Sequence, residues 1–346
     1  MRILERLDEL YAIGGGPGAN RPHPSAAEDE AHRLVASWCE AADLSVEVDA
    51  HGTLFGHAPE SGGVWVGSHV DTVPRGGRFD GALGVVAAVD VVCRSGAGSV
   101  VVFRGEEVGC VGSRATVAAG GPLPRVFLEL HIEQGPVLAE RGVALGVVTE
   151  IVGYARGELV VEGRAGHAGT TPMVGRDDAL VAAAAEIQRV RDAALTIPGA
   201  VATIGQVEVE PGGANVIPSR VRLSLDVRAP DTKRLDDLIR EIAFESGYRV
   251  EPAQFAGAAS QALRDAIAAR GLPIVELASG AGHDAGILAS AGVDAAMLFV
   301  RSLNGGISHS PDELSSDDDV ALAVDVLGDA LARLVEGDGG VAATTR

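Results

Sequence analysis

Four continuous apolar runs, each leading into residues that can bind a cation or move a proton, organise this chain. Val64-Trp65-Val66 leads to His69 and Asp71, residues 99–103 to Glu106-Glu107, residues 126–130 to His131, and residues 295–300 to a glycine-rich loop carrying Ser308-His309-Ser310. Runs without polar alternation mark strands buried on both faces, and the helical patterns between them predict an α/β fold with a mainly parallel sheet covered by helices. Ligands of such sheets bind beyond the carboxyl ends of the strands, where these residues fall.

The remaining pattern fills in the layers. Leu4, Leu7, Leu10 and Tyr11 predict an amphipathic helix over 2–12, followed by Gly14-Gly15-Gly16, which follows no strand and lacks a GK[ST], so it reads as a loop and not a phosphate cradle. Ser25-Ala26-Ala27-Glu28 reads as a capping box opening a helix through Leu34, Val35 and Trp38. Val46 and Val48, then Leu54-Phe55, read as strands; 85–92, 258–269 and 316–335 read as helices; the tail 337–346 reads as disordered. Between them the texture changes. Strand 158–162, helix 177–190, strands 201–210 and 221–227, helix 233–244 and a short strand near Val250 give the β-α-β-β-α-β order of a ferredoxin-like α+β domain inserted into the first. The expected division is a discontinuous catalytic domain, 1–146 with 258–346, and an insert over 147–257.

Composition narrows the classes. A length of 346 residues suits about two domains, and 47% hydrophobic residues suffice for real cores. A net charge of −20 argues against nucleic acid and anionic membranes as partners. Three cysteines, Cys39, Cys93 and Cys110, show no CxxC spacing, which speaks against a disulfide framework or structural zinc and for a reducing cytoplasm. The first residues alternate charge with apolar side chains, unlike a signal peptide, and no segment approaches the ~18 apolar residues of a membrane span.

The densest chemistry lies in GSHVDTVPRGGRFDGALG, from Gly67 to Gly84. An imidazole and two carboxylates, His69, Asp71 and Asp80, are ligands for zinc, manganese or cobalt. In an extended chain His69 and Asp71 leave on one face, so Asp71 can orient His69, while Gly76, Gly77 and Gly81 let the backbone bring Asp80 back beside it. With Glu106, Glu107, His131 and His309 the tally reaches what two metals sharing a bridging carboxylate need, about five ligands plus a carboxylate base. Adjacent glutamates offer equivalent chemistry, so the residues alone do not order that pair.

GSHVDTVPRGGRFDGALGV, EEVGCVGSRA, LELHIEQGPVL, VEGRAGHAGTTPM, NVIPSRVRLSLDVR, SGAGHDA and GISHSPDE together resemble, across almost the whole chain, the ordered motifs of the allantoate amidohydrolase and N-carbamoyl-L-amino acid hydrolase family. That family belongs to the wider di-metal superfamily of aminoacylases and glutamate carboxypeptidases. The resemblance implies two divalent ions per chain, zinc first and manganese or cobalt as alternatives. His69, Asp80 and His131 would hold one, Asp80, Glu107 and His309 the other, and Glu106 would be the general base. It also implies an oxyanion donor, His167, acting across a homodimer formed through an inserted lid domain. Asn215 and Arg228 would contact a carboxylate of a small-molecule substrate, Gln134 its ureido group, and His283 with Asp284 would support the site. Cleavage of a ureido or N-carbamoyl C–N bond with release of ammonia is the activity implied; the same metals could serve an aminoacylase or dipeptidase. The chain departs from the family pattern in a shorter loop between Glu107 and Gly112, in Thr53 where Asn is common, and in the stretch from Gly16 to Arg21.

Overall fold

A computed structural model describes residues 2–339. Most of the tail, 340–346, lies outside the described residues, while the closing helix Asp317–Gly339 takes in residues 337–339. The chain divides into two compact units, 1–150 with 254–346, and 151–253.

The first unit is built on one large mixed sheet of nine strands. Its four central strands, Ala97–Phe103, Glu60–His69, Val126–Ile132 and Asp294–Val300, run parallel. Both flanks are antiparallel: Leu54–His57 pairs with Ala97–Phe103 and carries Ser45–Val48 outside it, while Leu145–Ile151 pairs with Asp294–Val300 on the other side. Antiparallel pairing is what a short connection permits. Asp49 makes that connection, its Oδ1 accepting from the backbone N–H groups of His51 and Thr53. In the centre Val66 registers with both Val100 and Leu128, so His69, Phe103 and His131 reach one carboxyl edge together.

The central strands are buried on both faces, as their largely apolar runs require. Even-numbered residues such as Val66, Val100, Leu128 and Leu298 join the main core, and odd-numbered Val101, Phe103, Phe127 and Phe299 are buried on the opposite side. Each such side chain contributes about 1.5–3 kcal/mol of burial. Helix Ala82–Ser95 begins two residues after Asp80 and lies backbone to backbone on the sheet at Gly84, where a methyl group would run into the Leu130 carbonyl and come within 2.7 Å of Ser68 Cβ. This contact sets the turn that carries Asp80 against the strand ends.

Several elements differ from the sequence pattern for identifiable reasons. Helix Ala26–Glu40 keeps half of its capping box: Ser25 Oγ accepts from the Glu28 N–H, but the Glu28 carboxylate is buried and turns to His23, Arg104 and the Gly105 N–H. Helices Val111–Ala118 and Asp284–Ser290 were not foreseen, because small residues there leave no apolar stripe. Of the three glycines in the Asp80 turn, Gly81 alone has positive φ, +62°; the left-handed residue in the preceding turn is Arg75. Gly77 matters for room, since a methyl there would overlap the Glu313 carboxylate.

In the second unit, strand Gly153–Glu162, helix Ala179–Thr196, strands Val201–Glu210 and Arg220–Ala229, helix Thr232–Ile242 and strand Glu245–Val250 follow in β-α-β-β-α-β order. The four strands form an antiparallel sheet in which Gly153–Glu162 and Arg220–Ala229 are central and Val201–Glu210 and Glu245–Val250 are the edges. Alternate residues such as Leu225 and Val227 pack against Val190, Leu235 and Leu238 of the helices. A separate two-stranded ribbon pairs Gly166–His167 with Val216–Ile217. Among the described residues no helix is long and apolar enough to cross a membrane.

Candidate metal centre

At the carboxyl edge of the large sheet the first unit gathers two groups of ligand atoms, His69 with Asp80 and His131, and Asp80 with Glu107 and His309; within each group these atoms lie inside 4.8 Å of one another. Asp80 belongs to both. Its Oδ1 lies 3.6 Å from His69 Nε2 and 3.2 Å from His131 Nε2, and its Oδ2 lies 3.4 Å from His309 Nε2. His309 Nε2 is in turn 3.3 Å from Glu107 Oε2.

The donor set fits divalent cations on the evidence of its unsatisfied atoms. His69 Nε2 and His131 Nε2 are buried without a hydrogen-bond partner. Their other nitrogens are spoken for: His69 Nδ1 donates to the Asp71 carbonyl at 3.1 Å beside Asp71 Oδ1 at 3.3 Å, and His131 Nδ1 donates to the Ile132 carbonyl at 2.9 Å. A carbonyl only accepts, so Nδ1 of each ring carries a proton and Nε2 of each ring faces Asp80, which with neighbouring carboxylates raises both imidazoles against their burial. Two buried ring nitrogens converging on a carboxylate are the donors a borderline metal takes once it displaces their protons.

Asp71 does more than orient His69. Its Oδ1 accepts the Glu106 N–H at 3.1 Å and its Oδ2 the Glu107 N–H at 3.2 Å, while Glu28 Oε1 takes the Gly105 N–H at 3.2 Å. Three successive backbone donors are thus pinned, which fixes where both glutamates point. Burial works against the Asp71 charge, but His69 and these donors prevail and hold its carboxyl below the usual range.

Glu106 and Asp80 titrate in opposite directions. Burial raises the Glu106 carboxyl well above its ordinary range, with Asp284, Glu107 and Asp80 adding repulsion against the opposing pull of His69. A carboxylate raised this way is a stronger proton acceptor near neutral pH. Asp80 is buried too, yet the imidazoles of His131, His309 and His69 drive its carboxyl well below the carboxylate range. Glu106 Oε1 lies 3.6 Å from His283 Nδ1, and Oε2 3.7 Å from His69 Nε2.

Around Asp80 the structure gives partners to Gln134, His283 and Asp284, which the sequence had marked, and adds Glu129 and Glu313, which it had not singled out. Gln134 Nε2 donates to Asp80 Oδ2 at 2.9 Å, leaving Gln134 Oε1 shielded and without a hydrogen-bond partner. Ser308 Oγ lies 3.2 Å from the same Oδ2. Glu313, buried, accepts the N–H groups of Phe79 and Asp80. Glu129, in the middle of the apolar run before His131, takes the Ser68 hydroxyl and the Ala285 N–H, and the neighbouring Asp284 takes the Ser113 hydroxyl at 2.6 Å. Burial and the Glu129 charge push Asp284 up to about 8. A charged residue interrupting a strand buried on both faces was the available signal for Glu129; Ser308 and Glu313 sit inside the GISHSPDE stretch. His283 Nε2 meets Ser279 Oγ at 3.0 Å, and that hydroxyl donates to the Ala281 carbonyl, so Nε2 carries the His283 proton and Nδ1 is a buried acceptor. Gln134 and His309 are held at φ 56° and 54°, which costs about 1–2 kcal/mol each.

The other expected site residues belong to the second unit. His167 is exposed on the Gly166–His167 ribbon, its Nδ1 accepting from the N–H groups of Gly169 and Thr170, which places its proton on Nε2. The Asn215 carbonyl accepts the Ala168 N–H on that ribbon. The Arg228 fork spans both oxygens of Asp226 and lies over the Tyr154 ring.

The metal centre carries a pH signature. Its hydrogen bond to Asp80, against the effect of partial burial and helped by Glu107, pushes His309 up to about 9 in the metal-free protein. A cation at the second group must therefore displace a proton from His309 below that pH. Zinc affinity of this group, measured by chelator competition, is expected to rise by up to about tenfold per pH unit and to level off above about pH 9. Affinity independent of pH across that range would contradict the assignment.

Comparisons with known proteins bear on this geometry. The model of the family described as peptidase family M20/M25/M40 matches residues 65–333. The chain is 34% identical to an N-carbamoyl-L-amino acid amidohydrolase of Geobacillus stearothermophilus, covering 97% of this chain and 99% of the relative. It is 31% identical to a ureidoglycolate hydrolase of Oryza sativa subsp. japonica, covering 96% and 84%. A solved amidase of the hydantoinase/carbamoylase family from Burkholderia phymatum superposes with a TM-score of 0.85 at 28% identity, covering 97% of each chain. A match over most of the chain, with both ligand groups assembled inside it, means that the protein belongs to the peptidase family M20/M25/M40, a family of metal-dependent hydrolases.

Proposed function

We propose that the protein is a metal-dependent amidohydrolase that cleaves the ureido or N-carbamoyl C–N bond of a small carboxylate, of the allantoate or N-carbamoyl-L-amino acid type, and releases ammonia. The names of its relatives support the reaction class. The observation that carries the choice of a ureido group over a plain N-acyl group is the pair of unpartnered buried acceptors, Gln134 Oε1 and His283 Nδ1, beside Asp80 and Glu106. A ureido group brings N–H donors to both, whereas an acyl chain leaves them unsatisfied at a cost of about 1–3 kcal/mol each.

Two divalent cations, zinc first and manganese or cobalt otherwise, would be held by His69, Asp80 and His131 and by Asp80, Glu107 and His309. Bound there, they supply Lewis acidity and lower the pKa of an attacking water towards ~7. Glu106 takes the proton of that water as it attacks the ureido carbon and returns it to the leaving nitrogen. His167, with its proton on Nε2, donates to the developing oxyanion from a partner chain. Asn215 and Arg228 receive the substrate carboxylate, Arg228 by exchanging Asp226 for it. The second unit is then a ferredoxin-like lid and dimerisation domain. Exposed Val181 and Leu195 on its helix and Val201 and Val207 on its edge strand offer apolar surface for a homodimer. A cytoplasmic setting suits the three free cysteines.

A panel of ureido and N-acyl acids tests the substrate class. Ammonia release from the ureido members is expected, lost at least ~10²-fold in kcat in Glu106→Gln with metal retained, and with KM raised in Arg228→Ala only for members bearing a carboxylate. Faster turnover of N-acyl amino acids or dipeptides would replace this reading with an aminoacylase or dipeptidase. For the partner contribution, mixing His167→Ala with Glu106→Gln chains is expected to restore activity through hybrid dimers. No recovery after verified subunit exchange would remove His167 from that role.

A further inference from the structure

Glu313 is a buried carboxylate at the centre whose contacts reach two of the three segments of the second ligand group, those of Asp80 and His309, without joining either set of ligands. It is 5% exposed. Its Oε1 accepts from the Phe79 N–H at 2.7 Å and the Asp80 N–H at 3.0 Å, and its Oε2 lies 2.9 Å from Ser308 Oγ. Ser308 adjoins His309 and also reaches Asp80 Oδ2 at 3.2 Å. One side chain thus ties the turn that delivers the shared carboxylate to the loop that delivers His309. Gly77 makes the arrangement feasible, since any side chain there would occupy the Glu313 carboxylate's place.

The loop needs such an anchor. His309 is half exposed, sits in the left-handed region at φ 54°, and lies in the irregular stretch between the 3-10 turn Asn304–Gly306 and the helix Asp317–Gly339. Its loop is closed at the base by the Leu303 N–H on the Leu314 carbonyl and by Asn304 Nδ2 on the Asp312 carbonyl. Those bonds shape the loop internally and do not set its distance from Asp80. By contrast, His69 and His131 end central strands and are oriented by their own Nδ1 bonds.

We propose that Glu313 is a positioning residue for the second ligand group, holding the turn that carries Asp80 and the loop that carries His309 together, whereas His69 and His131 of the first group are placed by the sheet. The inference rests on the reading of Asp80, Glu107 and His309 as ligands. It implies that the two sites differ in what they depend on: two of the first group's three ligands are set by strand register, while in the second group the Asp80 turn and the His309 loop are joined through Glu313.

The test is zinc titration of the metal-free full chain against a competing chelator, resolving two binding steps. Glu313→Ala is expected to weaken one step about 10–100-fold, the usual effect of losing a residue that orients a ligand, and to weaken the other, which shares only Asp80 with it, clearly less. Glu313→Gln is expected to keep most of the affinity, because its amide oxygen still accepts both N–H groups. If the Ala variant fails to fold, Gly77→Ala, which displaces the carboxylate sterically, is expected to weaken the same step. His309→Ala identifies that step. Unchanged affinity in both Glu313→Ala and Gly77→Ala, equal weakening of both steps, or a Gln variant as damaged as the Ala variant would overturn the positioning role. A His309→Ala chain that keeps both steps would overturn the ligand reading and the positioning role with it.

Discussion

The carboxylate of Asp80, buried and offering one oxygen to His69 and His131 and the other to His309, is the interaction on which the centre depends. It sits among an unusual concentration of buried acids. Asp71, Glu129, Asp284 and Glu313 are all buried in the same unit, and Glu106 and Glu107 are nearly so. Like charges this close cannot all ionise, so the protein divides them. Asp71 and Asp80, which face imidazoles, stay ionised, while burial pushes Glu106 and Glu107 upward, Asp284 to about 8 and Glu313 to about 7. The buried guanidinium of Arg21, bonded to the Val70 and Leu10 carbonyls, adds fixed positive charge towards Asp71 and Asp80. Cations at the two ligand groups would supply the remaining compensation.

Division of labour follows from where each residue is mounted. The sheet register delivers His69 and His131 to one edge without help from loops. Asp80 and the two glutamates arrive on loops and are fixed by carboxylates acting on backbone N–H groups: Glu28 on Gly105, Asp71 on Glu106 and Glu107, Glu313 on Phe79 and Asp80. Charge-assisted bonds of this kind are short and directional, and in a buried setting they lose little to water. An acidic protein has thereby used surplus carboxylates as scaffolding for the carboxylates and imidazoles that face the reaction.

Much of this was legible in the chain because the site residues end apolar runs. Apolar runs at Val100 and Leu298, and one at Leu128 broken only by Glu129, announced central strands, and the ligands lie just beyond them. The antiparallel flanks were less visible, since Leu54-Phe55 and the strand Leu145–Ile151 read alike whichever way they run. The capping box misled through Glu28, whose side chain has a better partner in the Gly105 loop than at its own helix end. Glu313 was hidden for a related reason. Its partners Phe79 and Asp80 lie 234 and 233 residues away in sequence, and no local spacing encodes that contact. The family resemblance placed Gln134 at a substrate, and the structure adds that its amide nitrogen is already committed to Asp80, leaving the oxygen for that role.

If one carboxylate serves both ligand groups, the two sites cannot be dismantled separately through it. The most direct test is the zinc content of Asp80→Ala after saturation and removal of free metal, with folding confirmed by thermal melting. The shared-carboxylate account predicts that both sites are lost, leaving well under one zinc per chain. Retention of one tightly held zinc would contradict it, because a site that survives without Asp80 does not share it.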